Sequence, residues 1–347
     1  MDSSHSKYLI IGAGLSGLTT AYMLHKHGET NFKVLDARKR VGGRILTRNA
    51  IDFGATWFHN HHESVVALLA ELNISKFHQY NTGKSILVYS SMAPEQYFEN
   101  DPSVIPPYRI SGGTSAMISK LMAPISESLV LDTKVHAIEE QHDKLILHTN
   151  QGQYSSEKVI VTIPPRILHH IDFSPKLPKK LRRIMKTTHT WMSNAIKVGI
   201  QYDRPFWREK GLSGTIVGQV GAVTEIYDHT DESNANYILM GFVNEGLRDT
   251  TPEKRKERII TYLSKYLGDE ARHFLRYEEL DWSKDKNTSS KRIKSVYISP
   301  EYGNDAYDNF YMNGKLFFSG AETSAIHGGY MDGAIARGII SYKKVIG

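Results

Sequence analysis

Residues 7–11 (KYLII) form a short apolar run that stops at a glycine, and FKVLDA (32–37) forms a second one. Each predicts a buried strand. Between them, LTTAYMLHKHG (18–28) carries Leu18, Ala21, Met23 and Leu24 at helical spacing, and Gly28 ends the helix. Strand, glycine turn, helix and strand within about 30 residues predict a βαβ unit with parallel strands. ESVVALLAEL (63–72) and TSAMISKLMA (114–123) read as helices, and the irregular stretch 79–108 holds one strand, SILVY. From 129 to 163 the period changes to two, with turns at Asp143-Lys144 and Gln151-Gly152. This predicts an antiparallel meander stopped by Pro164 and Pro165. Further strands are expected at 195–203 and 237–245. Thr251 and Pro252 open a helix running to about Leu267, with Ile259, Ile260 and Leu263 inward. KLFFSG (315–320) is the last buried strand, and a helix follows it.

A chain of 347 residues has room for two domains. It contains no cysteine, which excludes disulfides, thiolate metal sites and a cofactor linked through sulfur. No apolar stretch approaches the roughly 18–20 residues that span a bilayer, and nothing at the N-terminus reads as a signal peptide. A cytoplasmic protein with no membrane partner is therefore expected. The net charge of +6 is spread along the chain, with short clusters only at PKKLRR (178–183) and EKRKER (253–258). It reads as dispersed surface charge rather than a nucleic-acid surface.

The chemistry begins at the first turn. Gly12, Gly14 and Gly17 have the G-x-G-x-x-G spacing between strand and helix. The first permits a tight turn, the second a close backbone approach to a pyrophosphate, and the third close packing of helix on strand. The helix N-terminus offers free N–H groups to phosphate. Asp36, at the end of the second strand, is placed to bond a ribose hydroxyl. These residues predict a dinucleotide but do not separate NAD from FAD.

Further motifs do. Gly42-Gly43-Arg44 follows the ribose acid, then DFGATWFHN (52–60), YRISGGTSAMISKL (108–121), LDTKVHAIEE (131–140), KVIVTIPPRIL (158–168), NAIKVGIQYDRPFW (194–207) and FFSGAETSAIHGGYMDGAIARG (317–338). In this order they resemble the flavin-containing monoamine oxidase and polyamine oxidase family along most of the chain. The resemblance implies non-covalent FAD. Gly12, Gly14, Gly17, Asp36, Ala37, Arg38, Gly43 and Arg44 would hold its AMP and pyrophosphate portion. Val135 would meet the adenine, and Gly54, Ala55 and Thr56 would back the flavin ring. Gly320 and Glu322 would meet the ribityl–phosphate region, Gly329, Tyr330 and Met331 the pyrimidine end, and Trp282 also falls on the cofactor side.

Two residues carry catalytic expectations by the same resemblance. Lys197 falls where related oxidases place a lysine near flavin N5, bridged by water, to help reaction with oxygen. Read from the strand alone, it points opposite Ile196 and Val198 and could equally face solvent. Tyr330 would wall the substrate site, with Trp57, His59, Arg292 and His327 as further pocket residues. His59, His61 and His62 lack the rest of a ligand set, so no metal is expected. The short interval between WFHNHH and YRISGG implies a reduced substrate domain. If Arg292 faces inward, a carboxylate-bearing substrate becomes plausible.

The expected fold is α/β: a Rossmann-like FAD-binding domain, with a parallel sheet plus antiparallel meander, and an inserted, shortened α+β substrate domain. The FAD-binding domain would comprise 1–78, 107–186 and 285–347, and the substrate domain 79–106 and 187–284. The expected activity is oxidation of a C–N bond of an amine to an imine, with hydride transfer to the flavin, O2 as acceptor and H2O2 as product. Alternatives are an amino-acid oxidase, a flavin dehydrogenase or desaturase, and a non-catalytic flavin-binding protein. The oligomeric state is not legible.

Overall fold

The structure is a computed structural model and describes residues 5–289 and 301–347. Arg292 lies outside the described residues. The chain runs through β1 (His5–Ile11), α1 (Leu15–Lys26), β2 (Phe32–Leu35), β3 (Thr47–Arg48) and β4 (Ile51–Asp52). Then come α2 (Glu63–Glu71), β5 (Lys76–His78), β6 (Lys84–Val88), β7 (Gln96–Glu99), β8 (Tyr108–Ile110) and α3 (Ser115–Met122). Next are β9 (Leu129–Val130), β10 (Val135–Gln141), β11 (Lys144–Thr149), β12 (Gly152–Val161), β13 (Asp172–Ser174) and α4 (Lys179–Thr187). β14 (Ile196–Tyr202), α5 (Phe206–Glu209), β15 (Leu212–Gly218), β16 (Val223–Asp228), β17 (Tyr237–Val243), α6 (Pro252–Leu267) and β18 (Arg276–Asp281) follow. The last elements are β19 (Phe310–Tyr311), β20 (Leu316–Phe318) and α7 (Met331–Ile346).

Two sheets dominate this α/β fold. In the first, β12 is the hinge of the topology. It pairs with β1 in parallel along one side. On its other side it pairs first with β11, antiparallel, and then with β20, parallel. The N-terminal strand, the meander and the C-terminal strand therefore share one sheet, with β2 parallel to β1 and β9 parallel to β2. Leu129–Val130 thus leaves the expected meander and extends the parallel part.

Helices α1, α3 and α7 cover one face over Ile10, Leu18, Val34, Met117, Ile160 and Ile335. Burying side chains of this size stabilises the fold by about 1.5–3 kcal/mol each. α7 crosses α1 at Gly338, where a Cβ would lie 2.7 Å from Ser16 O, so even alanine there would push the helices apart. The opposite face packs under β10–β11 and α4. The PKKLRR cluster, expected only as surface charge, is in fact part of α4, whose Leu181 and Met185 are buried.

The second sheet has the order β18-β14-β17-β16-β15-β6-β7. Beyond the expected strands it contains β7, β15, β16 and β18, which the irregular and turn-rich sequence did not announce. α6 covers one face through Ile259, Ile260, Leu263 and Leu267. Thr251 caps α6 by accepting from Lys254 N–H. The other face meets Ile51 and Phe53. Gly199 makes this approach possible, since a Cβ there would lie 2.6 Å from Ile51 Cγ2. The 51–57 turn is thereby held against the second sheet, where Lys197 sits. Among the described residues no helix is long and apolar enough to cross a membrane.

Candidate functional site

The glycine turn lies at the C-terminal end of β1, where α1 begins. Gly12 has φ +108, and a Cβ there would meet Thr162 Oγ1 at 2.7 Å. A Cβ on Gly17 would stand 1.9 Å from Gly12 O, so helix and turn could not close. Gly14 differs: its extended backbone has no protein atom within 4 Å of an added Cβ. The space in front of it is open cleft. The first helical bond runs from Leu18 N–H to Gly14 O, so the amides ahead of it face that cleft without helical partners.

The cleft, about 760 Å³ and open to solvent, joins the two ends of the chain. Gly12, Gly14, Asp36, Arg38, Gly43, Arg44 and Ala55 line it together with Gly320, Gly329, Tyr330 and Met331. A second cavity shares Gly12, Asp36 and Arg38 with it and extends past Ala37 to Val135. Asp36 accepts from Ala13 N–H and from Arg38 N–H, both at 2.7 Å. Burial pushes its carboxyl above the usual range against these two bonds. The carboxylate lone pairs that these amides do not use remain for a sugar hydroxyl.

Several expected side chains are engaged differently from the sequence reading. The Arg44 guanidinium, expected to face phosphate, forks onto Glu322, with Nη1–Oε1 at 2.5 Å and Nη2–Oε2 at 2.9 Å. Thr190 donates to Glu322 Oε1 as well, at 2.5 Å. Burial disfavours the Arg44 charge, but the Glu322 carboxylate overcomes this and holds the guanidinium above its ordinary pKa. Arg38 turns its side chain to Asp285 and Thr288. Trp282 is buried with its indole N–H on Phe53 O at 2.8 Å, away from the cleft lining. Arg40, which no motif singled out, braces the turn by donating to Val41 O and Gly43 O.

Lys197 is 1 % exposed, which removes the solvent-facing reading. Its Nζ donates to Asp52 O at 2.9 Å, Gly54 O at 2.8 Å and Thr56 Oγ1 at 2.8 Å, using all three hydrogens. Trp57 and Phe242 place their rings 5.4 and 5.0 Å from it. Burial lowers its pKa to about 7, opposed chiefly by the Asp52 carboxylate. Gly54 lets this turn pass under Arg44, since a Cβ there would stand 1.8 Å from Arg44 O. The lysine therefore supports the turn that carries Ala55 into the cleft.

At the other end α7 begins behind Tyr330, which is 60 % exposed and lines the cleft. The first bond of α7 runs from Ala334 N–H to Tyr330 O, leaving the Met331 amide ahead of it. Tyr302, missed in the sequence, packs under this segment: a Cβ on Gly328 would lie 2.5 Å from its Cβ, and one on Gly329 would strike its ring at 2.6 Å. Its hydroxyl accepts from Trp191 N–H at 3.1 Å. His59 is exposed, with its ring 5.2 Å from that of His61. Trp57 donates its indole N–H to Gln79 Oε1 and packs edge-on against Tyr227. Thr190, Tyr227, Phe242 and Tyr302 stand outside every motif read in the sequence, and only the fold brings them to the site. Asp52 did stand in a recognised motif, and its acidity was the available signal.

Two helix N-termini, the buried acid Asp36 and an open glycine cradle lining one cleft fit a dinucleotide. The chain matches the profile of the family described as flavin containing amine oxidoreductase over residues 15–91 and 83–341. It is 23% identical to the putrescine oxidase of Kocuria rosea, over 98% of this chain and 95% of that one. It is 22% identical to a probable flavin-containing monoamine oxidase A of Dictyostelium discoideum, over 97% of this chain and 96% of that one. A solved structure of wild-type putrescine oxidase bound to putrescine superposes with TM-score 0.85 at 21% identity, covering 99% of each chain. At that identity the superposition shows the shared fold.

Proposed function

The chain belongs to the flavin-containing amine oxidoreductases, and on that premise we propose that it oxidises a C–N bond of a small amine with O2 as the final acceptor. When bound in the cleft, FAD would supply the acceptor for a hydride from the carbon beside the amine nitrogen, with O2 taking up the electrons as H2O2. The amides at the start of α1, with the open face of Gly14, would hold the pyrophosphate, and Asp36 would take a ribose hydroxyl. The Met331 amide and the positive end of α7 would favour negative charge on the bound flavin. Since the chain has no cysteine, no thioether holds the cofactor. We assign residues 79–106 and 187–284 to the substrate side and the remainder of the expected two-domain division to the cofactor side.

Lys197 does not serve as the base for the substrate ammonium, because all three of its hydrogens are committed to the 52–56 turn. Its proton is held at Nζ beside the ring-binding edge, where positive charge favours the negative charge developing as oxygen is reduced. Tyr330 stands at the mouth as a wall for the amine. One observation carries this reading: the Gly12–Gly14 turn and residues 320–331 line one cleft, with the Lys197-supported turn contributing Ala55 to its wall.

The test is anaerobic mixing of the yellow protein with putrescine, monoamines and amino acids. Bleaching by amines, and slower reoxidation in Lys197→Met with bleaching little changed, is the expected result. Bleaching by amino acids alone would replace the substrate class. Equal reoxidation in both proteins would remove Lys197 from the oxygen step.

A further inference from the structure

On the rim beside Tyr330, three imidazoles from distant parts of the chain meet. His61 and His62 come from the turn that opens α2, and His327 from the loop before α7. One ring nitrogen from each lies within 4.8 Å of the others. The His62 and His327 ring centroids are 4.6 Å apart, and those of His61 and His62 are 4.7 Å apart. The sequence supplied only the first stretch. The fold supplies His327, which completes a set of three.

The rings are prepared by their surroundings. His327 has φ +49, a left-handed backbone that a non-glycine residue seldom adopts. Its Nδ1 lies 2.7 Å from Asp332 Oδ2. A proton on Nδ1 donated to that carboxylate leaves Nε2 as the free lone pair, the arrangement found behind metal-ligating histidines. Asp332 is itself held, because its Oδ1 accepts from Val65 N–H at 3.1 Å. His62 is buried, with its ring packed against those of both His61 and His327. Its one contact to give up is a long one, 3.3 Å from His59 N–H to Nδ1. His61 is exposed and stacks on His59 at an interplanar angle of 7°, so it is free to swing.

We propose that His61, His62 and His327 form a three-histidine site for a borderline divalent transition-metal ion such as Zn2+, with Asp332 as the carboxylate partner of His327 and a fourth position open to solvent. Three imidazole nitrogens select this class over the oxygen-seeking Ca2+ and Mg2+. Tetrahedral zinc with Zn–N of about 2.0–2.1 Å needs ligand atoms about 3.4 Å apart. The ring nitrogens lie within 4.8 Å of one another, so ion binding would draw them closer, with exposed His61 moving most. The positive end of α7 opposes a cation, and the Asp332 carboxylate in its first turn offsets this. The ion would clamp the start of α2 to the start of α7, and the His62 ring is 5.6 Å from that of Tyr330. The site would therefore sit at the mouth of the cleft and leave its interior free.

The experiment uses tag-free, FAD-loaded protein stripped with a chelator and equilibrated with Zn2+. Bound metal is read by elemental analysis and affinity by calorimetry. One zinc per chain, with a rise in melting temperature, is expected. Asp332→Asn should weaken binding roughly 10–100-fold, and His61→Ala, an exposed change that leaves the fold alone, should weaken it at least as much. Flavin absorbance reports that each variant is folded. Absence of stoichiometric zinc in the parent protein overturns the proposal. So does unchanged affinity in both His61→Ala and His62→Ala.

Discussion

Replacing Lys197 by methionine removes a buried charge while nearly preserving the volume of the side chain. In the folded protein Lys197 titrates near 7, and in the unfolded chain it returns to 10.5. Between those values the unfolded state binds more protons, so stability rises with pH across this window. The gap corresponds to roughly 5 kcal/mol of cost for holding the proton on the buried amine. By linkage, about 2 kcal/mol of that cost is relieved between pH 7 and pH 9. Methionine has no such term.

The substitution also strips donors from Asp52 O, Gly54 O and Thr56 Oγ1, at about 1–3 kcal/mol for each buried acceptor left unpaired. At a single pH the two effects offset, and the sign of the change discriminates nothing. The pH slope does discriminate. Urea unfolding followed by far-ultraviolet circular dichroism, with saturating FAD at pH 7 and pH 9, should show the parent gaining about 2 kcal/mol more than the variant. Parallel slopes would mean that the folded lysine keeps an ordinary pKa, and the account of its burial would fail.

The glycine cradle yields a paired test. Gly14→Ala meets no protein atom within 4 Å, so apoprotein stability should move by less than about 0.5 kcal/mol. FAD affinity, read by fluorescence quenching, should meanwhile fall about tenfold or more, or 1.4 kcal/mol; undiminished affinity would place the pyrophosphate elsewhere. Gly17→Ala puts its Cβ 1.9 Å from Gly12 O, and chemical denaturation of the apoprotein should show a loss of about 3 kcal/mol. Glu322→Gln removes the charge partner of the Arg44 guanidinium and leaves half of its fork without an acceptor. Thermal and urea unfolding should register about 3 kcal/mol, and a loss too small to resolve would mean that water already screens the pair.

The cofactor end was legible because its chemistry is backbone chemistry. A tight turn, a close approach and a helix start each demand particular residues at fixed spacing, and Gly12, Gly14, Gly17 and Asp36 display them in order. The lysine's position was legible only through resemblance, since period-two alternation places Lys197 opposite its neighbours but does not say what covers that face. What covers it is the 51–57 turn, brought there by Ile51 and Phe53 packing over Gly199. Arg44 shows a different limit. A fork of donors suits phosphate and carboxylate equally, and its local sequence does not reveal that Glu322 folds within reach. β15, β16 and β18 were missed because their runs are short and mixed in polarity, so cross-strand partners rather than local pattern set them.

The ion pair between Arg44 and Glu322 joins residues 278 apart in sequence. Closing a loop of that length costs about 5 kcal/mol in chain entropy, before any constant term. A buried charge pair whose rupture costs about 3–5 kcal/mol, much of it desolvation of the orphaned partner, does not drive such closure. The apolar contacts do. Leu316, Phe317, Phe318 and Ile335 are all buried where β20 joins β12 and α7 lies against α1. Four such side chains contribute about 6–12 kcal/mol. The terminal strand and helix therefore bring Glu322 to Arg44, and the ion pair then fixes the register of the cleft wall rather than its existence. The Ser16–Ser319 contact at 3.0 Å, which ties the first turn of α1 to the end of β20, has the same logic. A site assembled from both ends in this way requires β20 and β1 both to be paired with β12, so the 320–331 wall and the Gly12 turn face one cleft only when those three strands are joined.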